Sequence, residues 1–169
     1  MKYIGIVGNS GSKITDVGEI RAKEYILRLL MELHEKYGDI TVVSGGCPYG
    51  GIDDYAEAIA EQLGLPPSKI FKPIAYCWNA PGGYRERNIK IAEQSDEMHV
   101  IVVSHLPHNN KESNYCYHCD CKGHVPSGGC WTGNHAKKLG KPVEWHVIDN
   151  RPEDEIPPYK DPFSKFEEV

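Results

Sequence analysis

The sequence predicts an α/β protein, a three-layer α/β/α fold with a parallel sheet of about five strands. The first observation is that short apolar runs alternate along the chain with amphipathic stretches of helical period. The second is that glycine-rich or polar loops follow these apolar runs and lead into the helices. Repeated strand–loop–helix units are typical of parallel sheets that carry helices on both faces.

The first half of the chain provides two strands and two helices. Residues 3–7 and 40–43 are short apolar runs rich in β-branched side chains, as expected for buried strands. Apolar residues at helical spacing predict a helix over 19–37, after the first strand. A second helix follows the second strand, and Asp53 or Asp54 is expected to cap it.

The second half of the chain adds three strands and two helices. The strands are predicted at residues 69–74, 98–103 and 143–148. A helix over 84–94 precedes the fourth strand, and a short helix over 127–139 precedes the fifth.

The chain of 169 residues has the size of one domain. Residues 1–148 are expected to form it, with residues 105–130 as an insert rich in cysteine and histidine before the last helix. This insert shows no hydrophobic periodicity. Its apolar content is also too low for it to order itself. Residues 149–169 are expected to form a proline-rich acidic tail, because repeated prolines exclude an ordinary helix or central strand.

The composition argues against several classes of function. A formal net charge of −5 argues against nucleic acid as a partner. No apolar run approaches the roughly 20 residues of a membrane helix, so no membrane partner is expected. The first ten residues are too short and too strand-like for a signal peptide, and a cytoplasmic location is the expectation.

Four turns that follow predicted strands are suited to anions. The carboxyl ends of parallel strands share one edge of the sheet, where ligands bind in such folds. Glycines let main-chain N–H groups approach a phosphate closely, and hydroxyl groups add donors. The residues expected to bind phosphate or the rest of a nucleotide are Gly8, Asn9, Ser10, Ser44, Gly45, Gly46, Asp53, Arg85, Asn88, Gly128, Gly129 and Thr132. For Asp53, the candidate roles are a contact to a ribose hydroxyl and a helix cap.

The turn before the 84–94 helix has the strongest local pattern. A helix start carries unpaired N–H groups and a partial positive charge, and Arg85 and Arg87 add planar, bidentate donors suited to phosphate. This pattern predicts a nucleotide or phosphosugar site. The alternative is a polar first helical turn with surface arginines.

The order and spacing of these motifs resemble the SLOG superfamily of Rossmann-like nucleotide-sensing and nucleotide-processing domains, over most of residues 2–148 outside the insert. Residues 44–56 are similar to the G-G-x-x-G-x-D-x-x-A segment of its YspA-like branch. Residues 83–88 are similar to the A-G-x-x-R-N turn of that branch, and residues 128–132 resemble the P-G-G-x-G-T phosphate loop. Other members are the molybdenum-cofactor carrier-like proteins and the LONELY GUY-type phosphoribohydrolases.

The resemblance implies a Rossmann-like fold that binds a nucleotide or nucleotide derivative as a sensor or carrier, in a homo-oligomer. In the hydrolase branch the arginine of the turn is catalytic, and Arg87 is the matching position. The alternative function is therefore hydrolysis of a nucleoside 5′-monophosphate, with Arg87 steadying the phosphoribosyl group and Glu86 assisting. The hydrolase glutamate expected after Thr132 is missing, and Trp131 replaces a glycine of the phosphate loop, where its ring would clash with phosphate or stack on a base. These departures favour binding over catalysis.

The insert contains a metal-ligand pattern. Cys116, Cys119, His124 and Cys130 form C-x2-C-x4-H-x5-C, which is similar to a zinc knuckle. His118 and Cys121 are competing ligands, so the choice of four stays open. A structural zinc ion is the leading interpretation, and redox-active thiols and plain surface cysteines are the alternatives.

The last of these cysteines lies next to the phosphate-loop glycine, Gly129. If Cys130 is a ligand, the metal is expected to shape the nucleotide pocket. A third function, a nucleic-acid-binding zinc module, is suggested by the knuckle-like spacing. The acidic net charge and the lack of a Lys/Arg stripe count against it.

Overall fold

The described residues form seven strands and four helices. The strands are β1 (Lys2–Gly8), β2 (Ile40–Ser44), β3 (Lys69–Ile70), β4 (Glu97–Ser104), β5 (Tyr115–Cys116), β6 (Cys121–Lys122) and β7 (Val143–Asp149). The helices are α1 (Asp16–Tyr37), α2 (Ile52–Gln62), α3 (Tyr84–Gln94) and α4 (Gly128–Lys138). The structure is a computed structural model that describes residues 1–107 and 113–157, without the side chains of residues 121 and 122.

The predicted three-layer, Rossmann-like arrangement is confirmed. The five-stranded sheet has the order β3-β2-β1-β4-β7 with parallel pairing throughout, while β5 and β6 form a small antiparallel hairpin in the insert. In β1, Ile4 and Ile6 pack with α1 and α2, whereas Val7 packs on the opposite side with α3 and α4. Both faces of the central strands are buried, which explains why their sequences are apolar without alternation.

Two elements have different limits from those predicted. The third strand comprises only Lys69–Ile70 rather than 69–74. It lies at the edge of the sheet, and Pro73 follows it without an N–H group for further pairing. Helix α1 begins at Asp16 rather than Glu19, because the side chain of Thr15 caps it by accepting a hydrogen bond from Gly18 N at 3.0 Å.

The expected cap of α2 by Asp53 or Asp54 is wrong. The N-cap residue is Gly51, whose φ of +101° favours glycine. A Cβ at Gly51 would also collide with the carbonyl oxygen of Asn9. Asp53 therefore falls inside the first turn of α2, where its side chain is only 8% exposed.

The folded body extends beyond residue 148. Asn150 is buried, its Oδ1 accepts a hydrogen bond from Thr15 N at 3.2 Å, and its Nδ2 donates to Lys13 O at 2.9 Å. The first residues of the predicted tail thus belong to the domain, and residues 158–169 lie outside the described part of the chain. Within the described residues, no helix has the length and apolar character needed to cross a membrane.

The topology locates one natural ligand crevice. The order of the sheet reverses at β1, which pairs with β2 on one side and with β4 on the other. In open parallel sheets, ligands bind beyond the carboxyl ends of the strands at such a reversal.

Candidate functional site: a cleft beside a cysteine–histidine cluster

A cleft of about 450 Å³ lies at this reversal, beyond the carboxyl end of β1. Its volume is within the range of small-molecule sites. The loops after β1 and β2, the starts of α2, α3 and α4, and the insert form its walls. The predicted site residues that line it are Gly8, Asn9, Ser10, Asp53, Arg87, Asn88, Gly128, Gly129 and Thr132.

The other predicted binding and catalytic residues lie outside the cleft lining: Ser44, Gly45, Gly46, Arg85 and Glu86. The hydroxyl of Ser44 donates a hydrogen bond to the Glu57 carboxylate at 2.7 Å. The Glu86 carboxylate is exposed and accepts a hydrogen bond from Gly82 N at 2.6 Å. Glu86 therefore stabilises its own turn rather than facing a ligand.

The start of α3, where the arginine turn predicts an anion site, is capped by its own preceding loop. Its first N–H groups, from Gly83 to Arg85, donate to carbonyl oxygens within residues 77–80 at 2.8, 3.0 and 3.1 Å. These main-chain donors are consequently not available to a phosphate. The contribution of this turn to the cleft comes from the Arg87 and Asn88 side chains.

The start of α4 faces the cleft. Gly128, Gly129 and Thr132 line it, and Ser127 caps the helix by accepting a hydrogen bond from Gly129 N at 3.1 Å. A Cβ at Gly129 would lie 2.8 Å from Gly8 N, so glycine permits the end of β1 to touch the helix start. The partial positive charge of α4 is therefore directed at this end of the cleft.

Asn9 holds the framework of the cleft together. It is buried, its Oδ1 accepts a hydrogen bond from Val103 N at 2.9 Å, and its Nδ2 donates to Pro126 O at 3.0 Å. The side chain thereby joins the loop after β1 to β4 and to the segment before α4. Its role is to position the walls, since both ends of the amide are bonded to protein.

Arg87 and Asp53 meet over Gly45. The guanidinium of Arg87 donates from Nη1 to Gly45 O at 2.6 Å and from Nε to Asn88 Oδ1 at 2.8 Å. A Cβ at Gly45 would lie 2.5 Å from Arg87 Nη1 and 2.9 Å from Asp53 Oδ2. The missing side chain at Gly45 thus allows the guanidinium and the carboxyl group to reach the same part of the cleft.

The carboxyl group of Asp53 titrates near neutral pH. Burial raises its pKa to about 7, the Arg87 guanidinium opposes this rise, and the neighbouring Glu57 and Asp54 carboxylates add to it. A group with this pKa can donate a hydrogen bond when protonated and accept one when ionised. Asp53 is therefore the carboxyl group of the cleft that is suited to proton exchange with a ligand.

This pKa predicts how stability depends on pH. A carboxyl group whose pKa rises on folding, here from 3.8 to about 7, stabilises the fold most below its unfolded pKa, and this stabilisation is lost as the pH rises through the folded pKa. Asp53→Asn is therefore expected to raise the free energy of unfolding at about pH 8 by roughly 1–4 kcal/mol, with a smaller gain at about pH 5. Urea denaturation at both pH values measures this difference, with Glu61→Gln at an exposed position of the same helix as the control. Parallel pH profiles for Asp53→Asn and the wild type would contradict it.

Sequence reasoning missed a cation of the cleft, Lys13. It ends a short 3-10 turn, Gly11–Lys13, after the first glycine loop, and its Nζ donates to Pro126 O at 3.1 Å. The signal in the sequence that could have identified Lys13 is its position directly after that glycine loop. Lys13 and Arg87 line the same cleft, so a protein with a net charge of −5 has a locally cationic pocket.

Aromatic side chains also line the cleft, namely Trp78, Tyr84 and Tyr117. Trp131, a candidate for stacking on a base, lies outside the lining. Its ring stacks on His135 with centroids 5.3 Å apart, and it meets Trp78 edge-on at 5.0 Å. Trp131 thus supports Trp78 and links the loop that contains Trp78 to α4.

A cysteine–histidine cluster forms beside the cleft. It consists of Cys116, Cys119, His124 and Cys130, whose candidate ligand atoms all lie within 4.8 Å of one another. The three cysteines are free thiols, so this group could hold a metal ion. Of the competing ligands, His118 lies outside the group and lines the cleft, and the side chain of Cys121 lies outside the described residues.

The imidazole of His124 is oriented for metal binding. Its Nδ1 lies 2.8 Å from Val125 O, and its Nε2 lies 3.2 Å from Cys119 Sγ and 3.9 Å from Cys130 Sγ. A carbonyl oxygen only accepts hydrogen bonds, so Nδ1 carries the hydrogen and Nε2 directs its lone pair toward the sulfur atoms. Metal-bound histidines are commonly held in this way by a carbonyl group.

The thiols of the cluster differ in acidity. Burial raises the pKa of Cys130 to about 12, whereas for Cys116 the main-chain N–H groups around the sulfur outweigh burial and lower the pKa. The buried indole N–H of Trp145 is close enough to the Cys130 sulfur to lower the pKa of this thiol, although it forms no full hydrogen bond within the described residues. A metal ion would displace the proton of Cys130 and give this orphaned donor a thiolate neighbour.

Comparison of the chain with protein-family models, with curated proteins and with solved structures finds no match. Function is therefore inferred from the geometry of the cleft and of the cysteine–histidine cluster.

Proposed function

We propose that the cleft binds a nucleotide or nucleotide derivative and that the protein acts as a sensor or carrier of this ligand. The observation that carries the proposal is the convergence of Lys13, Arg87 and the start of α4 on one cleft that also contains aromatic rings. Cationic groups and a helix start suit phosphate, and aromatic rings suit a base. The resemblance to the SLOG superfamily supports the same ligand class.

The phosphate end of the proposed site is held in place before a ligand arrives. Bonds to Gly45 O and Asn88 Oδ1 fix the guanidinium of Arg87 through Nη1 and Nε. Among the described residues no hydrogen bond is formed by Nη2, which can therefore donate to an anion. A guanidinium that is already immobilised loses little entropy on binding, which favours affinity.

The cleft also offers ring faces. Trp78 is 37% exposed and Tyr117 is 67% exposed, so both rings can be covered by a ligand. A planar base stacked on such a ring buries apolar surface without needing a specific hydrogen-bond pattern. This explains how a small cleft can bind a nucleotide through its phosphate and its base at the same time.

The cluster is proposed to bind zinc in a structural role. Three thiolates and one imidazole form a closed tetrahedral set that Zn²⁺ favours and that leaves no position open for a substrate. The cluster connects the β5–β6 hairpin to α4. Zinc binding there would supply folding energy to an insert that has too little apolar content to order itself.

Hydrolysis of a nucleoside 5′-monophosphate is the second candidate function, and one observation favours it. Asp53, a buried carboxyl group with a pKa near 7, lies in the cleft beside Arg87. Glu86, in contrast, lies outside the cleft lining and bonds to Gly82 N. Hydrolysis would therefore use Asp53 as its acid–base group, and release of free base from the nucleotide would identify it.

Calorimetric titration tests the proposed function. The panel contains AMP, GMP, CMP and UMP, with adenosine and inorganic phosphate as the two partial ligands. We expect at least one nucleotide to bind roughly tenfold or more tightly than either partial ligand, because only the nucleotide can use both the cationic groups and the ring faces of the cleft. A folded, metal-loaded protein that binds none of the nucleotides would contradict the proposal. Native mass spectrometry of the same sample tests the predicted homo-oligomer.

A further inference from the structure

Within the described residues, every part of the cleft wall that comes from the insert lies between two members of the cluster. Tyr117 and His118 line the cleft and lie between Cys116 and Cys119. The segment of residues 126–129 also lines the cleft, and it lies between His124 and Cys130. The four members of the cluster therefore bracket both chain segments that complete the cleft on this side.

The two segments differ in how they are attached to the rest of the domain. The segment of residues 124–130 is bonded to the sheet, because Val125 N donates to Val103 O at 2.9 Å and Asn9 donates to Pro126 O at 3.0 Å. The segment of residues 116–119 reaches the domain through the packing of Cys116 and Cys119, both members of the cluster, against the core, and through a hydrogen bond from Asn134 Nδ2 to His118 O at 2.7 Å. Its position therefore depends more strongly on the cluster.

The two ring side chains of the 116–119 segment form one packed pair. The rings of Tyr117 and His118 pack against each other with centroids 4.3 Å apart, and both line the cleft. A change in the distance between Cys116 and Cys119 would shift this ring pair, because each ring residue is adjacent to one of these cysteines.

We infer that a metal ion in the cluster positions Tyr117 and His118 as ligand-contacting residues, so that metal occupancy sets the affinity of the cleft for its ligand. This inference rests on the proposed function of the cleft. Coupling between two sites is reciprocal, so the ligand must raise the affinity for the metal by the same factor. Metal binding at the cluster then changes the affinity of the nucleotide site.

The test compares metal-loaded and metal-free protein, prepared with a chelator and checked by circular dichroism. The probe is whichever of AMP, GMP, CMP and UMP binds the metal-loaded wild type most tightly. We expect metal removal to weaken its binding about tenfold or more, and saturation with the probe to raise zinc affinity by the same factor in competition with a chromophoric chelator. Equal affinity of folded metal-free and metal-loaded protein would overturn the inference.

Variants decide the question if the metal-free protein unfolds. His118→Ala and Tyr117→Ala are expected to keep the metal and to weaken probe binding several-fold, whereas Tyr115→Ala, outside the cleft lining, is expected to change neither. Unchanged affinity in both cleft variants overturns the inference. Failure of all four nucleotides to bind metal-loaded wild type overturns the proposed function and the inference with it, while binding that ignores the metal overturns the inference alone.

Discussion

Arg87→Ala is expected to weaken nucleotide binding by roughly 10- to 100-fold, the cost of removing a charged hydrogen bond from a desolvated site. Arg87 is the guanidinium that lines the cleft, and its contacts to Gly45 and Asn88 hold it there. Without it, Asp53 also loses the cation that favours its ionised form. Titration calorimetry with the tightest nucleotide measures the change in affinity.

The chain provides a matched control for this prediction two residues away. Arg85 is exposed on the same helix and lies outside the cleft lining, so Arg85→Ala is expected to leave affinity nearly unchanged. Arg87→Lys is expected to recover only part of the affinity, because an ammonium group cannot reproduce the fixed fork of the guanidinium. Equal losses in Arg85→Ala and Arg87→Ala, with both variants folded, would mean that the two arginines act through general charge and that the cleft is not the site.

Removal of the metal is expected to have the largest effect on stability. Structural zinc sites have apparent binding free energies on the order of 10 kcal/mol, similar to the whole stability of a domain. We expect native mass spectrometry to find zinc in the purified protein and Cys130→Ser to lose it. Thermal melting of Cys130→Ser should then show a clear drop in Tm, because the buried side chain at position 130 no longer binds the metal.

The pH dependence and a second cysteine make this prediction specific. Metal affinity should fall as the pH is lowered, because protons compete for the thiolates and for His124. Cys77 is exposed and lies outside the cluster, so Cys77→Ser should retain the metal and the wild-type Tm. A metal-free wild type with the same Tm as the metal-loaded wild type would exclude a structural metal.

The layered fold was predictable because its causes are local. Each buried strand, such as β1 or β4, has to be apolar on both faces, and each helix has to present one apolar side. The parallel order then brings the loops after the strands to one edge. Most of the predicted binding residues accordingly line one cleft.

The roles of individual groups at this edge were less predictable. The start of α3 has the sequence of an anion site, yet residues 77–80 satisfy its N–H groups. Glu86 is close to Arg87 in sequence but bonds to Gly82. In both cases a loop without periodicity folds back on the helix, and its path depends on packing rather than on a local pattern.

The sequence by itself determined the alternation that builds the parallel sheet and the cysteine–histidine spacing of the cluster, because both are set by residues that lie close together in the chain. The tertiary structure decided which groups share the cleft. Asp53 and Arg87 belong to different helices and meet over Gly45, and the burial that raises the pKa of Asp53 exists only once these segments have packed. It likewise placed His118 in the cleft rather than in the cysteine–histidine cluster, because the direction of a side chain depends on contacts between distant segments.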